Sequence, residues 1–391
     1  MSKYEKVIQT EDLTVGYGTK IIISDINISA NKGQMICLLG PNGAGKTTIL
    51  RTLSGHLNPV EGKVLLFGKE IIKIKKKDLA KKLSVVLTER TDPELLSVHS
   101  MVCLGRHPHT NFWGNLTEQD EVIVEECLKL VNAYHLKDRY YSTLSDGEKQ
   151  KVMIARALAQ EPEVMVLDEP TSHLDVKHKV EVLSILRKMS REKGITTIIS
   201  LHDVDLALKT SDIIIMVKNG EIIDWGTPDD IVKSNTISDL YDIKAAGYNH
   251  KLGCLELLCP QNAKTFVIAG GGTGISVYRI LLKHNIGFYT GILYENDIDT
   301  YIADTMKAMT FIKKNTQNIE EVMSDAIKTI NKCEVIIHTG YESEKEDQTN
   351  NKLLKYAKDR NKKVIYLNDE LCKSTDKIDY SDIEKQVMNL F

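Results

Sequence analysis

The segment Gly40-Pro41-Asn42-Gly43-Ala44-Gly45-Lys46-Thr47-Thr48 constrains this chain more than any other stretch. It fulfils the pattern G-x-x-x-x-G-K-[ST] in full, after an apolar run at 35–39 and before a helical pattern at 48–53. Strand, glycine turn and helix in that order make a phosphate cradle. The glycines let successive backbone N–H groups turn inward around an anion, and the helix presents its positive end to the same anion. In such a cradle Lys46 reaches the β- and γ-phosphates of a nucleoside triphosphate, and Thr47 holds Mg2+. All nine residues, Gly40 to Thr48, are therefore expected to contact the nucleotide.

A second apolar run, Val164-Met165-Val166-Leu167, ends in Asp168-Glu169-Pro170. A buried strand that delivers acids at its C-terminal end aims them at the ligand crevice of an α/β sheet. Asp168 fits a Mg2+ role, and Glu169 fits a general base polarising an attacking water. Alone, such a pair would as readily start a turn; after a complete phosphate loop the catalytic reading is favoured. His202 closes a third run at 197–201 and is placed to sense or hold the γ-phosphate. A lone histidine at a strand end is more often structural, and only the neighbouring motifs reverse that.

Composition sets the frame. With 391 residues, two compact domains are expected. A net charge of −3 gives no electrostatic case for nucleic-acid binding, and no run approaches the ~20 apolar residues of a membrane span. The N-terminus lacks the apolar core of a signal peptide. The seven cysteines are scattered without a CxxC pair, which fits reduced cytoplasmic thiols and disfavours zinc or disulfides. Continuous apolar runs at 35–39, 164–167, 196–200 and 213–217 fit a sheet covered on both faces. The lysine run from Lys73 to Lys82 reads as a solvated helix face.

The ordered motifs resemble those of the ABC ATPase family over residues 1 to about 230. Leu144-Ser145-Asp146-Gly147-Glu148 stands where that family carries its LSGGQ-type signature. Ser172-His173-Leu174-Asp175 resembles the D-loop, His202 the switch histidine, and Tyr17 the aromatic that stacks on adenine. The resemblance implies an α/β fold: a phosphate-loop ATPase domain with a helical subdomain, at 1–240. It implies a head-to-tail homodimer in which each ATP lies between the Lys46 loop of one copy and Ser145 and Gly147 of the other. Glu169, His202 and Lys46 would be catalytic, with Mg2+ held by Thr47, Asp168 and Glu89. Two departures stand out. Acids at 146 and 148 replace the family's Gly and Gln, and are expected to point away from the phosphate. Glu89 replaces the usual glutamine of the Q-loop and is expected to keep the metal role.

The stretch Gly105-Arg106-His107-Pro108-His109-Thr110 resembles the GRxPHT segment of ATPases serving importers of iron–siderophore complexes, haem and cobalamin. A metal reading of its two histidines lacks a third ligand at suitable spacing. The resemblance implies a subunit at the cytoplasmic face of the membrane, energising a separate integral-membrane permease, with an extracytoplasmic substrate-binding protein in the same system and no nucleic acid. A soluble relative acting on ribosomes or nucleic acid is the alternative, but such relatives generally carry two cassettes per chain and only one is present here. A ligand-sensing regulator is a third reading.

After a linker at 241–262, a second strand–helix rhythm predicts a small, mainly parallel sheet, a Rossmann-like domain at 263–391, possible site of regulation. Its strands are expected at 265–269, 288–293, 334–338 and 363–367, and its helices at 275–283, 319–330 and 351–358. Gly270-Gly271-Gly272-Thr273-Gly274 follows the first strand. It reads either as an anion-binding turn, with Glu295 placed for a ribose, or as a plain tight turn, since Ile275 stands where a third glycine would be.

Overall fold

The computed structural model describes residues 6–87, 93–111, 114–233, 236–242, 245–249, 251–314, 319–341, 348–367, 384, 385 and 388. Glu89, the expected Q-loop metal ligand, lies outside them. The chain divides into two compact units, Met1–Tyr241 and Asp242–Phe391.

The first unit contains two sheets. Its strands are β1 (Lys6–Tyr17), β2 (Lys20–Ile26), β3 (Ser29–Asn31), β4 (Met35–Leu39), β5 (Glu61–Leu66), β6 (Lys69–Glu70), β7 (Leu83–Val86), β8 (Val164–Leu167), β9 (Thr196–Leu201), β10 (Ile213–Lys218) and β11 (Glu221–Gly226). The antiparallel sheet runs β2-β1-β5-β6, and β3 also pairs with β1, along Lys6–Gln9, ahead of the stretch that pairs with β2. The second sheet runs β11-β10-β4-β9-β8-β7 and is parallel except for the β10–β11 edge. Every residue of β4, β8 and β9 is buried, as continuous apolar runs require when helices cover both faces. The helix Lys46–Leu53 packs Ile49, Leu50 and Leu53 into the core that joins the sheets. A helical subdomain is formed by Val98–Cys103, Glu118–Leu130 and Asp146–Ala159. The helix Lys76–Lys82 buries none of its residues, in keeping with a solvated lysine face.

The second unit holds β12 (Ala246–Asn249), β13 (Cys254–Leu257), β14 (Thr265–Ile268), β15 (Phe288–Tyr294), β16 (Met309–Lys313), β17 (Val335–His338) and β18 (Lys363–Tyr366). Its main sheet runs β16-β15-β14-β17-β18, all parallel, so the order reverses between β14 and β17 as in a doubly wound sheet. Side chains alternate between two cores. Val267 and Ala269 face one, while Phe266 and Ile268 face the other.

Three features of the second unit depart from the sequence expectation. The stretch 241–262 is not a free linker, because β12 and β13 pair there as a hairpin. That hairpin is tied into the second unit by Asn249 Nδ2 donating to Tyr301 O (2.9 Å) and by a buried Glu256 carboxylate paired with Arg279. The helix Ile298–Thr305 and strand β16 were also unforeseen.

Candidate nucleotide site

The C-terminal ends of three adjacent strands, β4, β9 and β8, deliver the phosphate loop, His202 and the Asp168–Glu169 pair to one edge of the parallel sheet. Gly40 turns out of β4 so close to β10 that a Cβ there would lie 2.1 Å from Val217 O. Gly45 has φ +108°, open to glycine alone at low cost, and a Cβ would meet Ile23 at 2.7 Å. These two positions fix the cradle against β10 on one side and the β1–β2 hairpin on the other. Tyr17 ends β1 opposite Lys20 and is 47% exposed, open to a planar ligand.

Lys46 is buried and folds back into the loop, where Nζ donates to Gly40 O (2.7 Å) and Pro41 O (2.9 Å). Burial lowers its pKa, opposed by the charges of Glu169 and Asp168. An ammonium half stripped of water and facing an anion cradle is well prepared for phosphate oxygens.

The two acids are held differently. Asp168 is buried; its Oδ2 accepts from Thr47 Oγ1 (2.9 Å) and its Oδ1 from Ser200 Oγ (2.7 Å). Thr47 and Asp168 thus present hard oxygen donors side by side, the donor set that suits Mg2+. Glu169 has φ +49°, and its N–H donates to the same Ser200 Oγ (2.8 Å). Its carboxylate accepts from Ser172 Oγ (2.9 Å) and contacts His202 Nε2 at 2.5 Å. Burial pushes the Glu169 carboxyl up, but Ser172, His202 and the Lys46 charge outweigh it and hold it below its ordinary range. An ionised carboxylate oriented by a hydroxyl and an imidazole can accept a proton from a water. Ser200 organises both acids, and sequence reasoning missed it; its one signal was a hydroxyl residue two positions before His202, directly after the apolar Ile198 and Ile199.

Ser145 caps the helix Asp146–Ala159 through a capping box, as the spacing Ser-x-x-Glu allows. Glu148 Oε2 accepts from both Ser145 N (2.8 Å) and Ser145 Oγ (2.9 Å). Glu148 therefore folds back onto Ser145: the unfilled backbone donors at the helix start draw its carboxylate there. Gly147 is buried, and a Cβ there would stand 2.6 Å from the His178 ring. His178 Nδ1 is in turn held by Asp175 at 2.8 Å, so the signature turn and the D-loop segment pack through one imidazole.

The GRxPHT-like segment is an internal brace. Arg106, 4% exposed, donates from Nε to Asp120 Oδ1 (2.7 Å) and from Nη1 to Ala159 O (2.6 Å) and Glu161 Oε2 (2.8 Å). His109 Nε2 bonds Gln160 O (3.0 Å). Both cationic or polar groups address the C-terminal carbonyls of the signature helix, where the macrodipole favours them. Asp120 is held down at about 2 by hydrogen bonds from Thr117 and by Arg106.

In the second unit the glycine run is already filled. Gly271 N donates to Asp297 Oδ2 (2.8 Å), Gly272 N to Asp299 Oδ2 (3.1 Å) and Gly274 N to Asp299 Oδ1 (3.1 Å). The Tyr341 ring lies against Gly270, where a Cβ would approach it to 2.7 Å. Donors that an anion-binding turn would offer to a ligand are thus bonded to the chain's own carboxylates. Glu295 is exposed in the turn after β15.

Residues 23–172 match the family model of the ABC transporter, and residues 288–389 match that of the MJ0874 family. Over 289 residues the chain is 46% identical to an uncharacterized ABC transporter ATP-binding protein of Methanocaldococcus jannaschii, covering 73% of this chain and 100% of that relative. It is 37% identical to the iron(3+)-hydroxamate import ATP-binding protein of Bacillus subtilis, over 61% of this chain and 88% of the relative. A cobalamin import ATP-binding protein of Halobacterium salinarum is 30% identical over 72% of each. Among solved structures, a dimeric ATP-binding cassette in a post-hydrolysis state with ADP and Pi aligns with TM-score 0.50 at 27% identity, over 56% of this chain and 98% of that one. Fold and site together define a phosphate-loop ATPase of the cassette class. The chain belongs to the ABC transporter family, as an ATP-binding and ATP-hydrolysing subunit.

Proposed function

We propose that this subunit energises an importer for iron chelates or cobalamin, bound peripherally at the cytoplasmic face of a separate permease, with an extracytoplasmic substrate-binding protein supplying the cargo. The importer ATPases of B. subtilis and H. salinarum among its relatives support that class. No helix among the described residues is long and apolar enough to cross a membrane. The single observation that carries the catalytic reading is the shared Ser200 hydroxyl, which sets Asp168 beside Thr47 and Glu169 beside His202.

In the proposed cycle, ATP enters the Gly40–Thr48 cradle and draws Lys46 off its own carbonyls onto the β- and γ-phosphates, while Tyr17 stacks on adenine. Thr47, Asp168 and Glu89 would hold Mg2+, which screens the phosphate charge when bound. A second copy presents Ser145 and the Gly147 N–H from its helix N-terminus to the same ATP. This requires Ser145 Oγ to be released from Glu148 or shared with it. Glu169 accepts the proton of the attacking water, and His202 holds Glu169 and meets the γ-phosphate. Closure and release of the dimer drive the permease. The second unit is proposed to regulate this cycle without binding a dinucleotide in its glycine turn, since Asp297 and Asp299 fill that turn.

Two experiments test the reading. Glu169→Gln should bind ATP, lose turnover by at least about 100-fold and accumulate an ATP-bound dimer, whereas Lys46→Ala should lose nucleotide binding or turnover. Full-rate hydrolysis by Glu169→Gln would remove the general-base assignment. Reconstitution with candidate permeases, screening iron chelates, haem and corrinoids for stimulated ATPase, tests the cargo class.

A further inference from the structure

His99 and Cys103 lie one helical turn apart on the helix Val98–Cys103, and Glu121 lies in the first turn of the neighbouring helix Glu118–Leu130. Their ligand atoms converge. His99 Nε2 is 2.8 Å from Glu121 Oε2 and 3.9 Å from Cys103 Sγ, and all three donors fall within 4.8 Å of one another. Donor atoms around a tetrahedral zinc ion stand about 3.3–3.6 Å apart, given bonds of about 2.0–2.3 Å. The observed separations bracket that range, so binding requires the Glu121 carboxylate to draw back from the imidazole and the Cys103 sulfur to close on it. We propose that His99, Cys103 and Glu121 form a binding site for a borderline-soft divalent cation, with Zn2+ as its best-matched occupant.

The chemistry of the set argues for that class. One thiolate, one imidazole and one carboxylate select zinc-like ions over Mg2+ or Ca2+, which prefer oxygen alone. Three protein ligands leave a fourth position for water, and the site has access to solvent: the His99 and Glu121 side chains are 31% and 48% exposed. The backbone is held in advance. Thr117 and Asp120 cap the turn that carries Glu121, Asp120 is clamped by buried Arg106, and His99 N donates to Lys137 O at 2.9 Å. Bound metal would clip the same two segments that Arg106 and Asp120 clip a turn away.

To bind sulfur the ion must displace the proton of the Cys103 thiol. Metal affinity should therefore strengthen as pH rises. Sequence reasoning passed over the set because it sought CxxC pairs and the histidines of the following segment, whereas the ligands are spaced i, i+4 and completed from another helix.

The test uses the full chain, freed of metal and titrated with Co2+ as a spectroscopic stand-in. The expected result is one equivalent bound, with a thiolate-to-metal charge-transfer band in the near ultraviolet, visible bands of tetrahedral intensity, and displacement by Zn2+. Cys103→Ser should abolish the charge-transfer band, and the exposed Glu121→Gln, which leaves the core untouched, should weaken Zn2+ binding at least about tenfold. Oxygen-only binding at the nucleotide site cannot produce the sulfur band. Absence of that band, its persistence in Cys103→Ser, or unchanged Zn2+ affinity in Glu121→Gln would overturn the proposal.

Discussion

Ser200→Ala is the most informative single change at the candidate site. Ser200 is fully buried and stands between the two acids, donating to Asp168 Oδ1 at 2.7 Å and accepting the Glu169 N–H at 2.8 Å. Alanine removes a hydrogen bond to a charged group, worth about 1.5–3 kcal/mol, and leaves the Glu169 N–H without its acceptor, worth about 1–3 kcal/mol. The two losses share one atom and are not additive, so about 3 kcal/mol of stability should disappear. For a domain of this size that lowers Tm by about 6–12 °C. Turnover should fall about 10- to 100-fold, or about 1.4–2.7 kcal/mol in barrier, because the strained φ of Glu169 loses its tether and Asp168 its orientation. ATP affinity should fall less than turnover, since Lys46 Nζ bonds Gly40 O and Pro41 O within its own loop. Thermal unfolding and steady-state ATPase at saturating MgATP measure both effects, and Ser200→Thr, which keeps the hydroxyl, should restore most of the activity. An alanine variant with parental turnover and Tm would show that the shared hydroxyl organises nothing.

Arg106→Ala should cost about 3–5 kcal/mol in chemical denaturation, because it leaves Asp120 buried without its cation; Asp120→Asn should cost less. Gly147→Ala drives a methyl to 2.6 Å from the His178 ring, so ATPase should drop at least about tenfold, and a second change, His178→Ala, should recover it; a double variant no better than the single would reject the clash. In the second unit, burial and the neighbouring Asp297 raise Asp299 to about 7. An acid whose folded pKa exceeds its unfolded value of about 3.9 favours the folded state at low pH. The second unit should therefore lose stability as pH rises from about 4 through about 7, a slope that Asp299→Asn should flatten in urea unfolding at pH 5 and pH 8.

The parts of the fold that were legible share one property: their residues announce their environment locally. Val164–Leu167 and Met35–Leu39 are unbroken apolar runs, and each leads into residues of the candidate site. What escaped was decided by distant partners. The hairpin at Ala246–Asn249 and Cys254–Leu257 is short and half exposed, with Cys254 and Glu256 inward and Leu255 and Leu257 outward, a pattern that reads as loop until Arg279 neutralises Glu256. Helix Ile298–Thr305 and strand Met309–Lys313 are too brief to show a period. The bond from Ser145 N to Glu148 was not foreseen for a different reason: repulsion by a ligand phosphate was weighed, but the backbone N–H of Ser145 was not.

The two glycine turns of this chain show how little the glycines themselves determine. Both follow a buried central strand and open a helix, and both sit where a parallel sheet delivers ligands. At 40–48 a lysine enters the turn, and the nearby acids bond side chains rather than the amides of the glycine turn, Asp168 through Thr47 and Ser200, Glu169 through Ser172 and His202. The Lys46 ammonium gives that turn a cation for phosphate. At 270–274 no lysine enters, and the turn after the neighbouring strand β15 supplies Asp297 and Asp299 to the amides instead. An anion already occupies the place a phosphate would take, and it is covalently part of the fold. A ligand phosphate could compete there only by expelling a buried carboxylate, which would have to be rehydrated or protonated in the process. The raised pKa of Asp299 reflects the same cost from the other side: the carboxylate stays because the glycine amides donate to it, at the expense of being buried beside a second acid. Whether a glycine turn after a strand binds phosphate is thus settled by the charge that neighbouring strands deliver to it, a property of topology that no local motif contains.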